Sequence, residues 1–329
     1  MPDLSRFSVL PSSTEVSPNV AVLLPCYNEE VTIAQVVREF KDALPNATIY
    51  VYDNNSQDQT MALAKEAGAV VRTEVRQGKG HVIRRMFADI DADFYVLVDG
   101  DATYEAAAAP RMLALARENC LDMVTGLRIT ERQAAYRFGH VLGNKVLTNL
   151  VRALFGQGNK DMLSGYRIFS KRFVKSFPAL SAGFETETEF TVHALKLCMP
   201  VGEVETVYVE RPEGSVSKLN TYRDGVRILG TIINLLRRER PFLFFSVISF
   251  IFCFAGILLG LPVVLEFMSS GYVPRLPTAL LATGMEILAA LAFCCGQILD
   301  SVALDRLENR RLSYLSYPAP PIAEEKARE

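Results

Sequence analysis

The sequence predicts an α/β protein: a Rossmann-like, mostly parallel sheet with helices on both faces, followed by a two-helix transmembrane hairpin. Three observations carry that expectation. Short apolar strands alternate with helix-period segments from Val20 onward, the pattern of right-handed βαβ crossovers. The apolar run Phe94-Tyr95-Val96-Leu97-Val98 ends in Asp99-Gly100-Asp101, which puts two carboxylates at the C-terminal edge of a sheet, where open α/β sheets bind ligands. Two apolar stretches, residues 242–265 and 276–299, follow near the C-terminus, and each can supply the ~20 residues a helix needs to cross a bilayer.

The elements are justified in chain order. Residues 1–18 are polar and Ser/Pro-containing and are expected to be a flexible N-terminal segment, with no basic stretch followed by an apolar one as in a signal peptide. A first buried strand at 20–24 runs into Pro25-Cys26-Tyr27-Asn28-Glu29-Glu30 and a helix to about Ala43. A second strand at 48–52 ends in Asp53-Asn54-Asn55-Ser56-Gln57-Asp58-Gln59-Thr60, which opens another helix. A short third strand covers 70–72, the turn Gly78-Lys79-Gly80 leads into a helix through Ala88, and the strand ending at Asp99 follows. A further strand is expected at 122–126, leading to Leu127-Arg128. Residues 144–155 place Leu147, Leu150, Val151, Leu154 and Phe155 on one helical face, suited to a core or to a membrane interface.

Composition narrows the classes. At 329 residues and 50% hydrophobic, the chain can bury a core and still leave a separate segment. A formal net charge of -2 provides no basic field for nucleic acid, and no such partner is expected. The six cysteines form no C-x-x-C pair and no zinc spacing with the three histidines, and are read as buried thiols in a reducing compartment. Two carboxylates without competing sulfur or imidazole suit a hard cation, Mg²⁺ or Mn²⁺, bridging a diphosphate.

Arg237, Arg238 and Arg240 precede the first apolar stretch and Arg306, Arg310 and Arg311 follow the second, while the connection 266–275 carries one Arg. The positive-inside rule then places both termini in the cytoplasm. The competing reading is a pair of buried core helices. Glu286 lies inside the second stretch, where a carboxylate is costly and turns toward protein, water or a partner.

In order along the chain, the Pro25–Glu30 loop, the Asp53–Thr60 loop and Asp99-Gly100-Asp101 resemble family 2 glycosyltransferases of GT-A fold. Asp161-Met162-Leu163-Ser164-Gly165-Tyr166-Arg167 resembles the D-x-x-S-G-F-R segment of that family's polyprenyl-phosphate branch. The resemblance covers residues 18–245 and, with the paired apolar stretches, nearly the whole chain. It implies a catalytic domain at 19–221, a juxtamembrane amphipathic helix at 222–241, two spans within 242–302 and a cytoplasmic tail at 303–329.

The resemblance also implies roles. Pro25, Tyr27, Glu29 and Asp53 would contact the nucleotide, although Ser56 and Asp58 suit helix capping equally well. Lys79 would reach the nucleotide or else sit in a solvated turn. Asp99 and Asp101 would serve nucleotide and metal, with Asp101 the direct ligand. Asp161 matches the base position, yet a phosphate acceptor is already ionised near neutral pH, so orientation is as suitable a task. Arg128 and Arg137 match acceptor-phosphate positions, and Arg forks suit phosphate. Arg211 and Lys218, in a loop resembling R-x-x-G-x-S-K, would close over the donor diphosphate. Arg167 is expected either to pair with Asp161 or to meet substrate. Glu185, Glu187 and Glu189 would repel on one face of a strand but suit the start of a helix, with Glu185 expected at the sugar or the rim.

The implied activity is inverting transfer of one sugar from a nucleotide-diphosphate sugar (UDP- or GDP-hexose) to a polyprenyl or dolichyl phosphate at the cytoplasmic, or ER-type, membrane face. A processive polysaccharide synthase would carry Q-x-x-R-W, whereas this chain has no Trp. A nucleotidyltransferase would show an early Gly-rich loop. A non-catalytic membrane-tethered binder of nucleotide sugars is the other alternative. The paired spans also suit packing into a homo-oligomer.

Overall fold

The computed structural model describes residues 18–129, 161–162, 164–180, 186–209, 230, 233–234 and 236–321. The chain divides into two units, and each is described by itself.

The first unit is built on a seven-stranded sheet. In chain order it comprises β1 (Val20–Cys26), α1 (Ile33–Ala43), β2 (Thr48–Asp53), α2 (Thr60–Glu66), β3 (Val70–Thr73), α3 (Lys79–Asp89), β4 (Phe94–Leu97), α4 (Ala109–Glu118), β5 (Met123–Ile129), β6 (Arg167–Ser170), α5 (Lys171–Ser176), α6 (Thr186–Lys196) and β7 (Val201–Val207). The strand order is β3-β2-β1-β4-β6-β5-β7. All pairings are parallel except those of β6, which runs antiparallel to both β4 and β5.

Periodicity explains the packing. Val22, Leu24 and Cys26 on one face of β1 join α1 in the main core, and α1 buries Ile33, Val36, Val37 and Phe40, the i, i+3, i+4, i+7 stripe of an amphipathic helix. Leu23, on the alternate side, is equally buried because a parallel sheet is covered on both faces. An aromatic cluster of Phe87, Phe169, Phe173, Phe177 and Phe190 completes the packing, with Phe169 and Phe173 stacked at 4.5 Å. The register Cys26↔Asp53 brings the ends of β1 and β2 to one edge.

Two strands run longer than their apolar runs suggest. β1 reaches Cys26 because pairing with β2 continues to Asp53, and β5 reaches Ile129 because β7 pairs along its whole length. β6 and β7 were not legible: β6 has four residues and begins with an arginine, and β7 alternates two glutamates with valines.

The second unit contains α7 (Pro241–Ser270) and α8 (Leu276–Leu315). Both are long and apolar enough to cross a membrane, and only 6% and 11% of their most apolar windows are buried within the protein. Core helices are mostly covered by protein, so the low burial argues against that reading. Gly256 accepts Glu286 at close quarters, and Ser249 Oγ donates to the Ala289 carbonyl at 2.8 Å. α8 continues beyond residue 299 through Arg306, Glu308, Arg310 and Arg311, which are good helix formers once the apolar stretch ends.

The cysteine expectation is corrected. All are free, but only Cys26 is buried; Cys198, Cys294 and Cys295 are exposed. Cys294 and Cys295 lie on α8, whose apolar surface is not covered by protein. The N-terminal segment to residue 17, the stripe at 144–155 and most of 222–236 lie outside the described residues.

Candidate functional site

Two loops at the edge of β1 and β2 are stitched together by polar side chains. The Asn54 amide donates to the Cys26 carbonyl at 2.9 Å, the Asn28 amide to Ser56 Oγ at 2.8 Å, and the Glu29 amide to Thr60 Oγ1 at 2.9 Å. Asp58 accepts from the amides of Thr60 and Glu30. Burial would raise the Asp58 carboxyl, but the Thr60 hydroxyl and these amides outweigh it and hold it below its usual value. Ser56 and Asp58 thus serve the loops themselves. Asp53 differs: it is 1% exposed, its Oδ2 accepts from the Ser56 amide at 3.0 Å, and among the described residues its buried Oδ1 has no partner. A buried oxygen left bare costs about 1–3 kcal/mol, so the position suits a ligand donor. Pro25 is the penultimate residue of β1, with Tyr27 and Glu29 half-buried just beyond the strand.

Asn54 ties the end of β2 to the segment that precedes α3. Its side-chain Nδ2 donates to the carbonyls of Glu74 at 2.9 Å and Arg76 at 2.8 Å, and its Oδ1 accepts from the Gly78 backbone amide at 2.7 Å. It therefore fixes the turn that launches α3. Gly78 has φ 133, a conformation open to glycine.

Lys79, the first residue of α3, does not lie in a solvated turn. Its Nζ is 2.6 Å from Asp99 Oδ1 and 2.6 Å from Glu187 Oε1. Burial disfavours the ammonium, but Asp99 and Glu187 outweigh it and push the lysine well above its usual range. Gly165 permits this arrangement, since a Cβ there would run into Asp99 Oδ2. Gly165 of the Asp161–Arg167 segment is thus explained by its approach to the D-G-D turn, whereas Ser164 Oγ donates to the Gly126 carbonyl on β5 at 2.6 Å.

Asp101 is 4% exposed and its Oδ1 accepts from Thr103 Oγ1 at 2.6 Å. At Gly100 a Cβ would meet Cys26 Sγ at 2.7 Å, so the turn packs directly on β1. Burial, then the carboxylates of Glu29, Asp53, Asp99 and Asp101, push the Cys26 thiol well above its usual value. Among the described residues no group of three or more His, Cys, Asp or Glu side chains forms a ready-made metal cage. The all-oxygen pair Asp99 and Asp101 suits a hard cation whose remaining ligands come from phosphate and water.

Across the sheet, Arg128 on β5 grips Asp161 with a two-point fork: Nε to Oδ2 at 2.6 Å and Nη2 to Oδ1 at 2.8 Å. The guanidinium lies 5.5 Å from the centre of the Tyr208 ring. Tyr104 packs on Tyr208, and its hydroxyl accepts from the Gly165 amide at 2.9 Å. Burial, reinforced by the charge of Asp99, raises the Tyr104 phenol well above its usual value.

The expected pairing of Arg167 with Asp161 is corrected. Arg167 is fully buried and donates to the carbonyls of Ser164 at 3.0 Å and Met162 at 2.7 Å and to Thr191 Oγ1 at 3.0 Å. β6 directs it inward, where it shapes the loop carrying Asp161, and burial lowers its pKa to about 10. The run of glutamates is resolved as a helix: α6 starts at Thr186, with Glu187 and Glu189 in its first turn. Glu187 is the site residue that spacing alone did not single out. His193 is packed, its Nε2 3.0 Å from Ser176 Oγ. Arg137, Arg211, Lys218 and Glu185 lie outside the described residues.

Comparison with known proteins agrees with this geometry. The family description "Glycosyl transferase family 2" matches residues 21–177. Glycosyltransferase AglJ of Haloferax volcanii is 34% identical over 251 residues, covering 76% of this chain and 82% of that protein. The dolichyl-phosphate hexose transferase of the same organism is 25% identical over 222 residues, 68% of this chain and 96% of that one. Glucosyl-3-phosphoglycerate synthase from Mycobacterium tuberculosis, crystallised with Mn²⁺, UDP-glucose and phosphoglyceric acid, superposes with a TM-score of 0.52 at 21% identity, over 67% of this chain and 79% of that one. The fold and the acidic strand edge define a GT-A glycosyltransferase. The chain belongs to glycosyl transferase family 2.

Proposed function

We propose that this enzyme transfers a single hexose, with inversion, from a nucleotide-diphosphate sugar to a polyprenyl phosphate at the cytoplasmic face of a membrane. The observation that carries the reading is the juxtaposition, in one unit, of a carboxylate-rich strand edge bearing Lys79 with an arginine fork at Asp161. Two uncovered apolar helices, and a relative named for dolichyl phosphate, support a lipid acceptor. The basic residues flanking the apolar helices support cytoplasmic termini.

In this reading Asp53 accepts the ring N–H of the base with its free oxygen, Pro25 and Tyr27 flank the base, and Glu29 meets the ribose. Asp101, assisted by Asp99, would hold Mg²⁺ or Mn²⁺, which neutralises charge on the leaving diphosphate. Lys79, with Arg211 and Lys218, adds positive charge at the same phosphates. Arg128 and Arg137 present the acceptor phosphate. Its oxygen attacks the anomeric carbon from the face opposite the leaving group, and the carbon–oxygen bond to the diphosphate breaks with its electron pair. The nucleophile is an ionised phosphate oxygen, so no proton has to be removed at neutral pH. Asp161 then orients Arg128 and stabilises the approach.

The test is a panel of UDP- and GDP-hexoses offered to the full chain with a short polyprenyl phosphate and Mg²⁺ or Mn²⁺, read as lipid-linked sugar. One donor should give product, and Asp101→Ala should lower that rate by ~10³-fold or more. Full activity in that variant removes the metal assignment.

A further inference from the structure

Lys79 poses a problem for the metal site as proposed, because its ammonium already occupies an oxygen of Asp99 at 2.6 Å. A divalent cation drawn to Asp99 would meet a positive charge at contact distance. Expelling the lysine into water would discard the charge that suits the donor diphosphate. The nearby arrangement of Glu187 offers a way out.

Glu187 sits in the first turn of α6, its side chain 6% exposed, and its Oε1 is 2.6 Å from the same ammonium. Its other oxygen, Oε2, is buried and has no hydrogen-bond partner among the described residues. A buried carboxylate normally has both oxygens engaged. An ammonium has three donors on a flexible stem, and Lys79 is already at the neighbouring oxygen. The pair therefore has two arrangements: Lys79 shared between Asp99 and Glu187, as in the structure, and Lys79 held by both oxygens of Glu187.

We propose that Glu187 is a positioning residue for donor binding, which retains Lys79 beside the diphosphate when Asp99 turns to the cation. This rests on the metal-dependent reading above and adds a residue to it. Glu187 acts through Lys79, so removing the lysine should remove the need for the glutamate.

The experiment measures Mn²⁺ binding to the full chain in detergent by electron paramagnetic resonance, alone and with UDP. Glu187→Gln should weaken Mn²⁺ binding on the order of tenfold, since among the described residues Lys79 then loses one of its two carboxylate partners and leans on Asp99. Glu187→Asp, which keeps the charge on a shorter arm, should lie between that variant and the wild type. The double variant Lys79→Met/Glu187→Gln should recover Mn²⁺ binding without UDP to within about threefold of wild type, while losing most of the gain that UDP confers. A merely structural glutamate would not be rescued by deleting the lysine. Wild-type Mn²⁺ affinity in Glu187→Gln, or a double variant as weak as that single one, overturns the inference and leaves the metal site standing. Absence of Mn²⁺ binding in the wild type, with or without UDP, overturns both.

Discussion

The two edges of the site handle their charges in opposite ways. On the edge proposed for the nucleotide, two buried carboxylate oxygens, Asp53 Oδ1 and Glu187 Oε2, have no partner among the described residues. On the other side, Asp161 and Arg128 are joined through both oxygens and two guanidinium nitrogens. The first edge holds acceptors ready for a ligand that brings donors and cations. At the second, the carboxylate and the guanidinium offset each other's charge. The difference fits a donor that binds as a metal complex and an acceptor that arrives as a phosphate.

The largest effect that could break this contrast belongs to the paired edge. Arg128→Ala should raise the KM for a short polyprenyl phosphate by roughly 10–100-fold, the range for a lost charge-assisted fork. The affinity for UDP, measured by calorimetry, should stay unchanged. Equal losses for both ligands would end the division between the edges.

A smaller effect tests the open edge. Asp53→Asn should reduce UDP affinity about tenfold, because the ring N–H loses its carboxylate acceptor. Thermal stability should change by only ~2 °C, since the amide oxygen can still accept from the Ser56 N–H. Lost stability with retained affinity would make Asp53 a loop cap instead.

The smallest effect concerns pH. The folded-state pKa of Lys79 is raised, against burial, by Asp99 and Glu187, so its pairing contributes stability fully below the lysine's ordinary value of about 10.4. That contribution is lost only as pH rises through the higher folded value. The difference in melting temperature between wild type and Lys79→Met should therefore be constant from about pH 7 to 10. A difference that vanishes near neutrality would show that the ammonium is not held as the structure has it.

The early strands and helices were legible because local pattern and tertiary environment agree there: Val20–Cys26 is continuously apolar, and α1 follows a helical stripe. β6 and β7 were not, since neither has a local signature and both are strands only because β4 and β5 offer edges to pair with. The D-G-D turn and the Asp53 loop could be placed from the ends of apolar runs. The partners of Arg167 and Arg128 could not, because both arginines lie close to the Asp161 segment and spacing does not say which one faces it.

Sequence alone therefore determined the parallel α/β core, the acidic strand edge and the two apolar helices, since each follows from local composition and hydrophobic period. Only the tertiary structure decided that Arg128 takes Asp161, that Arg167 is buried among carbonyls, and that Lys79 joins Asp99 to Glu187. The Arg128 and Lys79 contacts link residues far apart in the chain, while Arg167 reaches carbonyls three and five residues away because β6 turns its side chain inward. Charge pairs across a fold depend on where strand order and helix packing deliver each side chain, and one-dimensional spacing does not contain that information.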